Sequence, residues 1–260
     1  MENIIEVNNL KRDYNSSTGF FKKSTKTISA LKGISFKVKK GEVFGLLGPN
    51  GAGKSTTIKI LTTLLAPTSG EAKILGYDCF GEEKKVREKI NFIFGGERGL
   101  YFRLSAYDNL QYFGDLYKIP SKILKKRIPE LINMVGLSGR ENEKVENYSK
   151  GMKEKLQIAR GMINDPEILF LDEPTIGLDP LAAKDFRKQI KYLKSQGKTI
   201  LLTTHYMYEA DELCDRIAII KNGELVDMGT TRELKEKNFN DSKVTLEEVY
   251  IKLIGGDKIA

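Results

Sequence analysis

The chain has 260 residues, of which 40% are hydrophobic and 30% charged; that balance excludes a disordered chain and allows one large or two small domains to bury a core without disulfides. No apolar run approaches the ~18 residues needed to span a bilayer, Met1–Tyr14 has no basic head followed by an apolar stretch, and Cys79 and Cys214 belong to no CxxC pair, so the expectation is a soluble cytoplasmic protein with neither a zinc site nor a disulfide framework. Forty-three Lys and Arg against 35 Asp and Glu leave +8, which suits nucleic acid, an anionic membrane surface or an acidic protein, and equally a merely soluble lysine-rich protein, because the basic residues are scattered.

Two early runs alternate apolar and polar residues, Ile4–Asn8 and Ile28–Val38, and predict strands. Between them Asn15–Lys26 reads as a polar, basic loop with Phe20 and Phe21 at its centre. Lys40-Gly41 marks a turn, Glu42–Leu47 a buried strand, and Ser55–Leu65 a helix stopped by Pro67. Ser105-Ala-Tyr-Asp108 resembles a capping box opening a helix to about Tyr117. Ser121–Val135 has helical spacing, but Pro129 predicts a break or kink near Arg127–Ile128, since an interior proline costs about 3 kcal/mol. Ser149 is placed to cap a helix reaching Asn164, stopped by Asp165-Pro166.

The last third alternates strand and helix: Glu167–Asp172, a helix opened by Asp179-Pro180 and closed at Gly197, Thr199–Thr204, Met207–Cys214 and Arg216–Lys221. Asn222-Gly223 is a two-residue hairpin turn leading to Glu224–Asp227. Such alternation implies an α/β fold with a mainly parallel sheet, while the strand-rich start suggests an antiparallel side sheet. No internal repeat is visible, so one nucleotide-binding unit is expected.

Gly48-Pro49-Asn50-Gly51-Ala52-Gly53-Lys54-Ser55 fits GxxxxGK[ST], with a strand before and a helix after. Glycines let backbone N–H groups face phosphate oxygens, and the helix N-terminus adds partial positive charge. Lys54 would reach the β- and γ-phosphates, Ser55 would ligate Mg²⁺, and Thr56 is a neighbouring phosphate contact. Ile168–Leu171 reads as a buried strand delivering Asp172 and Glu173 to its C-terminal end, where ligands bind in open α/β sheets. Asp172 would hold Mg²⁺ and Glu173 would act as general base on the attacking water. Alone, a strand ending in Asp-Glu is also compatible with a solvated turn.

Between these segments stands Tyr148-Ser149-Lys150-Gly151-Met152. Here the chain resembles ABC-type ATPases, the nucleotide-binding subunits of ABC transporters, whose signature is Leu-Ser-Gly-Gly-Gln. It keeps Ser149 and Gly151 and departs at Tyr148, Lys150 and Met152. The resemblance covers about Ile4 to Gly229. It implies a P-loop (RecA-like) core with an antiparallel side sheet and an inserted helical subdomain at about 97–164, the whole domain filling 1–230 and a C-terminal tail 231–260.

By the same resemblance the cofactors are ATP and Mg²⁺, and Ser149 and Gly151 close over the γ-phosphate held by an opposite subunit. His205, the one histidine, takes the place of the switch histidine that senses the γ-phosphate. Asp179 matches the loop that crosses the dimer interface, and it is also a plausible local N-cap. Tyr14 resembles the aromatic residue that stacks on adenine; an ordinary strand tyrosine is the alternative, and Phe20 or Phe21 would compete. Where the family has a Mg²⁺-contacting glutamine, this chain has Gly96, in Phe94-Gly95-Gly96-Glu97-Arg98-Gly99. Glu97 is the best substitute, since a carboxylate also ligates Mg²⁺; alternatively the glycines form a joint between subdomains.

Three functions follow. The first is the ATPase subunit of a transporter whose membrane subunits are separate chains, working as a homodimer or heterodimer on the cytoplasmic face of the membrane and resembling exporters more than importers. The second is an ABC-type ATPase acting on nucleic acid or ribosomes, disfavoured because no second ATPase unit or long coiled coil is present. The third, another P-loop enzyme such as a kinase, conflicts with Ser149, Asp172-Glu173 and His205 occurring in order. The Phe20-Phe21-Lys22-Lys23 loop would suit anionic lipid or a membrane subunit, or only solvent. In the tail, Thr245–Leu253 reads as a short amphipathic helix.

Overall fold

Alternation builds the first strands as expected: Ile34, Phe36 and Val38 are buried while Ser35 and Lys37 face out. The structure, a computed structural model, describes residues 2–18, 24–94, 99–241 and 243–255. The chain runs β1 (Asn3–Thr18), β2 (Ser24–Lys39), β3 (Val43–Leu47), α1 (Lys54–Leu61), β4 (Ser69–Ile74), β5 (Tyr77–Asp78), α2 (Glu83–Lys89), β6 (Ile90–Phe94), α3 (Ala106–Leu116) and α4 (Ser121–Met134). It continues as α5 (Lys150–Gly161), β7 (Ile168–Asp172), α6 (Pro180–Ser195), β8 (Thr199–Thr204), α7 (Met207–Leu213), β9 (Arg216–Lys221), β10 (Glu224–Gly229), α8 (Thr231–Phe239) and α9 (Leu246–Gly255). Two units result, 1–86 with 201–260, and 87–200.

In the first unit β1 and β2 form a long antiparallel hairpin, and β1 pairs on its other side with β4, which pairs with β5. Much of the segment read as a loop, 15–26, is strand: Asn15 pairs with Thr27 and Thr18 with Ser24, and the Thr27 hydroxyl donates across to Asn15 Oδ1 at 3.0 Å. Small polar residues tolerate a solvated two-stranded ribbon, so polarity did not signal a loop. Phe20 to Lys23 lie outside the described residues.

Also in this unit, β3 pairs in parallel with β9, from Phe44↔Arg216 to Leu47↔Ile219, and β9 turns back antiparallel into β10. Asn222 (φ 51°) and Gly223 (φ 79°) make the turn, the positive φ pair that a two-residue hairpin requires.

Helix α8 was not foreseen, although its signal was present. Thr230 and Glu233 form a complete capping box. Asp227 on β10 ties the helix down, accepting from Lys237 Nζ at 2.6 Å and Asn238 Nδ2 at 3.1 Å. Burial pushes the Asp227 pKa up, but these bonds and the Met228 N–H outweigh it and hold it below its ordinary 3.8. A depressed carboxylate pKa stabilises the fold above the unfolded-state value and loses that contribution as pH falls through the folded one. Asp227→Asn is therefore expected to lower Tm at pH 7, with the gap to the parent closing as pH falls below 3.8; a gap independent of pH in thermal melts would contradict this.

In the second unit β6 and β7 pair in parallel, Ile90↔Ile168 through Phe94↔Asp172. Ser105 caps α3 through the Asp108 N–H at 3.0 Å. Helix α4 does not break at the proline: it runs through Pro129. Lys125 and Pro129 both lie on its exposed side, while Leu124, Ile128, Leu131 and Ile132 are buried. The carbonyl that loses its partner to proline thus faces water, and the apolar stripe keeps the helix in place. The observed fold class is α/β, with parallel strand pairs, an antiparallel sheet and helices.

Candidate functional site

β3 is buried along its whole length and delivers Gly48–Ser55 at its end. Gly48 has no room for a side chain: a Cβ would lie 2.2 Å from the Ile220 carbonyl oxygen. Gly53, at φ 111°, is the N-cap of α1 and would press a Cβ to 2.7 Å from the Ala30 carbonyl. From the hairpin turn, the Gly223 N–H donates to the Ala52 carbonyl at 3.0 Å, which holds the loop from behind. Lys54 is buried, and its ammonium donates to the Gly48 and Pro49 carbonyls at 2.7 and 3.2 Å, folding the loop around the cation. Asn50, Gly51 and Ser55 are exposed, and Pro49 and Thr56 half-buried. Gly53 offers no side-chain cap to α1, and a glycine loop running into a helix start is the arrangement that receives a phosphate.

In the second unit, the buried Ile168–Leu171 brings Asp172 half-buried to the end of β7. Glu173 follows at φ 49°, a left-handed conformation that a non-glycine residue rarely adopts and that costs of order 1–3 kcal/mol. The following loop closes with the Ile176 N–H on the Glu173 carbonyl (3.2 Å) and the Leu178 N–H on the Thr175 carbonyl (3.1 Å). Asp179 accepts from the Leu181 and Ala182 N–H groups, both at 2.9 Å, and so does cap α6.

Within the same unit Ser149 caps α5 through the Met152 N–H at 3.2 Å. Lys150 Nζ donates to the Gly177 carbonyl at 2.5 Å, tying the Ser149 segment to the loop that ends at Asp179. A cavity of about 250 Å³ lies there, lined by Ser149, Gly151, Asp179 and Ala182 among others. Tyr148, where the signature has leucine, is a core residue: it is buried and its phenol donates to the Arg140 carbonyl at 2.6 Å. Burial raises its pKa.

His205 follows β8 directly and is exposed. Its ring sits 4.2 Å from that of Tyr206, whose N–H donates to Thr204 Oγ1 at 3.0 Å. Tyr14 lies within β1 opposite Ile28, not at a strand end, with the Arg12 guanidinium 4.9 Å from its ring centre. Gly96 and Glu97 lie outside the described residues.

Sequence reasoning missed Arg160. On α5 its guanidinium donates to the Phe92 carbonyl at 2.9 Å and the Gly99 carbonyl at 3.3 Å, and sits 5.2 Å from the Phe113 ring centre. Burial lowers its pKa. It thereby fastens to α5 both chain segments that flank Gly95–Arg98. An arginine directly after the buried run Leu156–Ala159 was the available signal.

Among the described residues no group of three or more His, Cys, Asp or Glu could hold a metal ion. Mg²⁺ binds through one or two protein oxygens plus substrate phosphates rather than an all-protein cage. No helix among them is long and apolar enough to cross a membrane.

A glycine loop between strand and helix, around a buried lysine, defines a phosphate-loop nucleotide-binding protein. The family model described as ABC transporter matches residues 31–176. The chain is 41% identical over 216 residues to the ABC transporter ATP-binding protein NatA of Bacillus subtilis, covering 83% of this chain and 88% of NatA. It is 39% identical over 243 residues to the linearmycin resistance ATP-binding protein LnrL of the same organism, covering 94% and 74%. The dimeric post-hydrolysis structure of the ATP-binding cassette MJ0796 with ADP and Pi superposes with a TM-score of 0.74 at 29% identity, over 87% of this chain and 98% of that one. The chain belongs to the ABC transporter family, as one of its ATP-binding, ATP-hydrolysing subunits.

Proposed function

We propose that this chain hydrolyses ATP as part of a dimer of nucleotide-binding domains that drives separate transmembrane subunits, in the direction of export. The observation that carries the reading is the Gly48–Ser55 loop, whose Gly48 and Gly53 have no room for a side chain and whose lysine is buried among the loop's own carbonyls. Tyr14 would stack on adenine. Backbone N–H groups of the Gly48–Gly53 loop other than Pro49, with Lys54 and Thr56, would bind the phosphates. Ser55 and Asp172 would hold Mg²⁺, which supplies charge neutralisation at the phosphate oxygens. Glu173 takes the proton from the attacking water, and His205 contacts the γ-phosphate. Ser149, Gly151 and Asp179 would meet the nucleotide held by the other subunit. ATP binding then favours the closed dimer, and hydrolysis to ADP and phosphate removes that preference, which is the coupling free energy available to attached subunits.

Glu97 belongs to this proposal as a second carboxylate toward Mg²⁺. Glu97→Ala is expected to lower the ATPase rate well beyond Arg98→Ala; equal small losses in a coupled-enzyme assay would remove Glu97 from the site.

Export is supported by the name of LnrL, a resistance protein. A membrane partner on the cytoplasmic face is supported by an exposed aromatic patch in the second unit. There Tyr101, Tyr112, Leu116 and Tyr117 are all exposed, and the Tyr101 and Tyr112 rings lie 4.8 Å apart. Patches of this kind mark protein or membrane contacts. The test is co-purification from solubilised native membranes of tagged Glu173→Gln protein with ATP. A stoichiometric multispanning protein is expected; ribosomes or nucleic acid that survive moderate salt would overturn the proposal in favour of the soluble class.

A further inference from the structure

The C-terminal helices carry no residue of the nucleotide chemistry, yet they cover the helix that follows His205. α7 has only seven residues and its N-cap, Tyr206, makes no side-chain capping bond. A helix that short does not hold itself together in water. Its buried face, Met207 and Ala210, packs in one cluster with Leu246 and Val249 of α9, Leu234 of α8, and Leu47, Ile217 and Ile219. Asp211 of α7 pairs with Lys235 of α8 at 3.3 Å, the lysine side chain being only 15% exposed.

The outer helices are themselves well fixed. The Thr230–Glu233 box and the Asp227 bonds hold α8. α9 opens with a reciprocal pair, the Glu248 N–H on Thr245 Oγ1 (3.1 Å) and the Thr245 N–H on Glu248 Oε2 (2.6 Å). Lys252 donates to the Asn238 carbonyl and lies 4.6 Å from the Phe239 ring centre, joining α9 to α8. Among the members of the cluster, Leu47 and the β9 residues are held by strand pairing. α7 has no ladder, so its place depends on side-chain packing, against Leu47, Ile217 and Ile219 and against α8 and α9.

We infer that Leu246 and Val249 are positioning residues for hydrolysis: through Met207 and Ala210 they hold α7, and hence His205, where the imidazole meets the terminal phosphate. The inference rests on the reading of His205 given above. It predicts that the turnover rate depends on α9 while ATP affinity does not, because β3 and the loop it carries keep their own support.

The test uses the full chain without a polyhistidine tag, so that His205 is its only histidine. Histidine labelled with ¹³C at Cε1 then gives a single imidazole signal. In the parent protein that signal is expected to shift on adding ATPγS with Mg²⁺. In Leu246→Ala and Val249→Ala it should broaden or split and lose most of that shift. kcat should fall about 5–10-fold, a fraction of the 10²–10⁴ typical of losing an acid–base group outright, with KM for ATP within about twofold. Alanine keeps helix propensity high, and Ile251→Ala, at an exposed position of the same helix, should change neither signal nor rate. If both buried-position variants lower Tm but leave the imidazole signal and kcat as in the parent, the inference is overturned. If the parent signal ignores ATPγS, it is the reading of His205 that fails.

Discussion

Glu173→Gln is expected to lower ATP hydrolysis about 10²–10⁴-fold, or about 3–5 kcal/mol of barrier, while ATP affinity stays within about twofold. The amide keeps the size and hydrogen-bonding shape of the carboxylate but cannot take a proton from water. Position, and not only chemistry, argues for this residue. The chain tolerates a left-handed backbone at Glu173, at a cost that a glycine would avoid. The measurement is a steady-state ATPase assay alongside fluorescent-nucleotide binding. A variant that retained a tenth or more of the parent rate would show that another group accepts the proton.

Lys54→Met is expected to weaken ATP binding by about 10²-fold, from the loss of charge-assisted bonds worth about 1.5–3 kcal/mol each. Methionine keeps an apolar stem of comparable length, so packing at this buried position is largely preserved. What is removed is the cation between the loop carbonyls of Gly48 and Pro49 and its attraction for phosphate oxygens. The parent and variant should show similar circular dichroism. Fluorescent-nucleotide titration that found unchanged affinity would contradict the role given to Lys54.

The site was legible where spacing and backbone chemistry constrain each other. Gly48 and Gly53 could be read from the sequence because a close backbone approach and a positive φ each select glycine. Asp179-Pro180 and Asn222-Gly223 were legible for the same reason, as local rules with local partners. What escaped was decided by tertiary surroundings. Pro129 lies inside α4 because its exposed side leaves the freed carbonyl in water. Asn15–Thr18 and Ser24–Thr27 look like loop, but pair as strand because each supplies the other's hydrogen bonds. Arg160 reaches the Phe92 and Gly99 carbonyls far from it in sequence, a relation no spacing encodes. The capping box at Thr230 and Glu233 is a local signal of the same kind as Asp179-Pro180.

The proposed dimer is two copies of this chain held together by ATP. Its most direct measurement is the mass of purified Glu173→Gln protein by light scattering after size exclusion, with and without ATP and Mg²⁺. The account predicts a shift from the 29.3 kDa of a single chain to about twice that value on adding ATP, reversed when Lys54→Met is introduced as well, since a dimer held by nucleotide forms only where nucleotide binds. A monomer under both conditions, in protein shown by titration to bind ATP, would contradict nucleotide-driven self-association and require a different chain as partner.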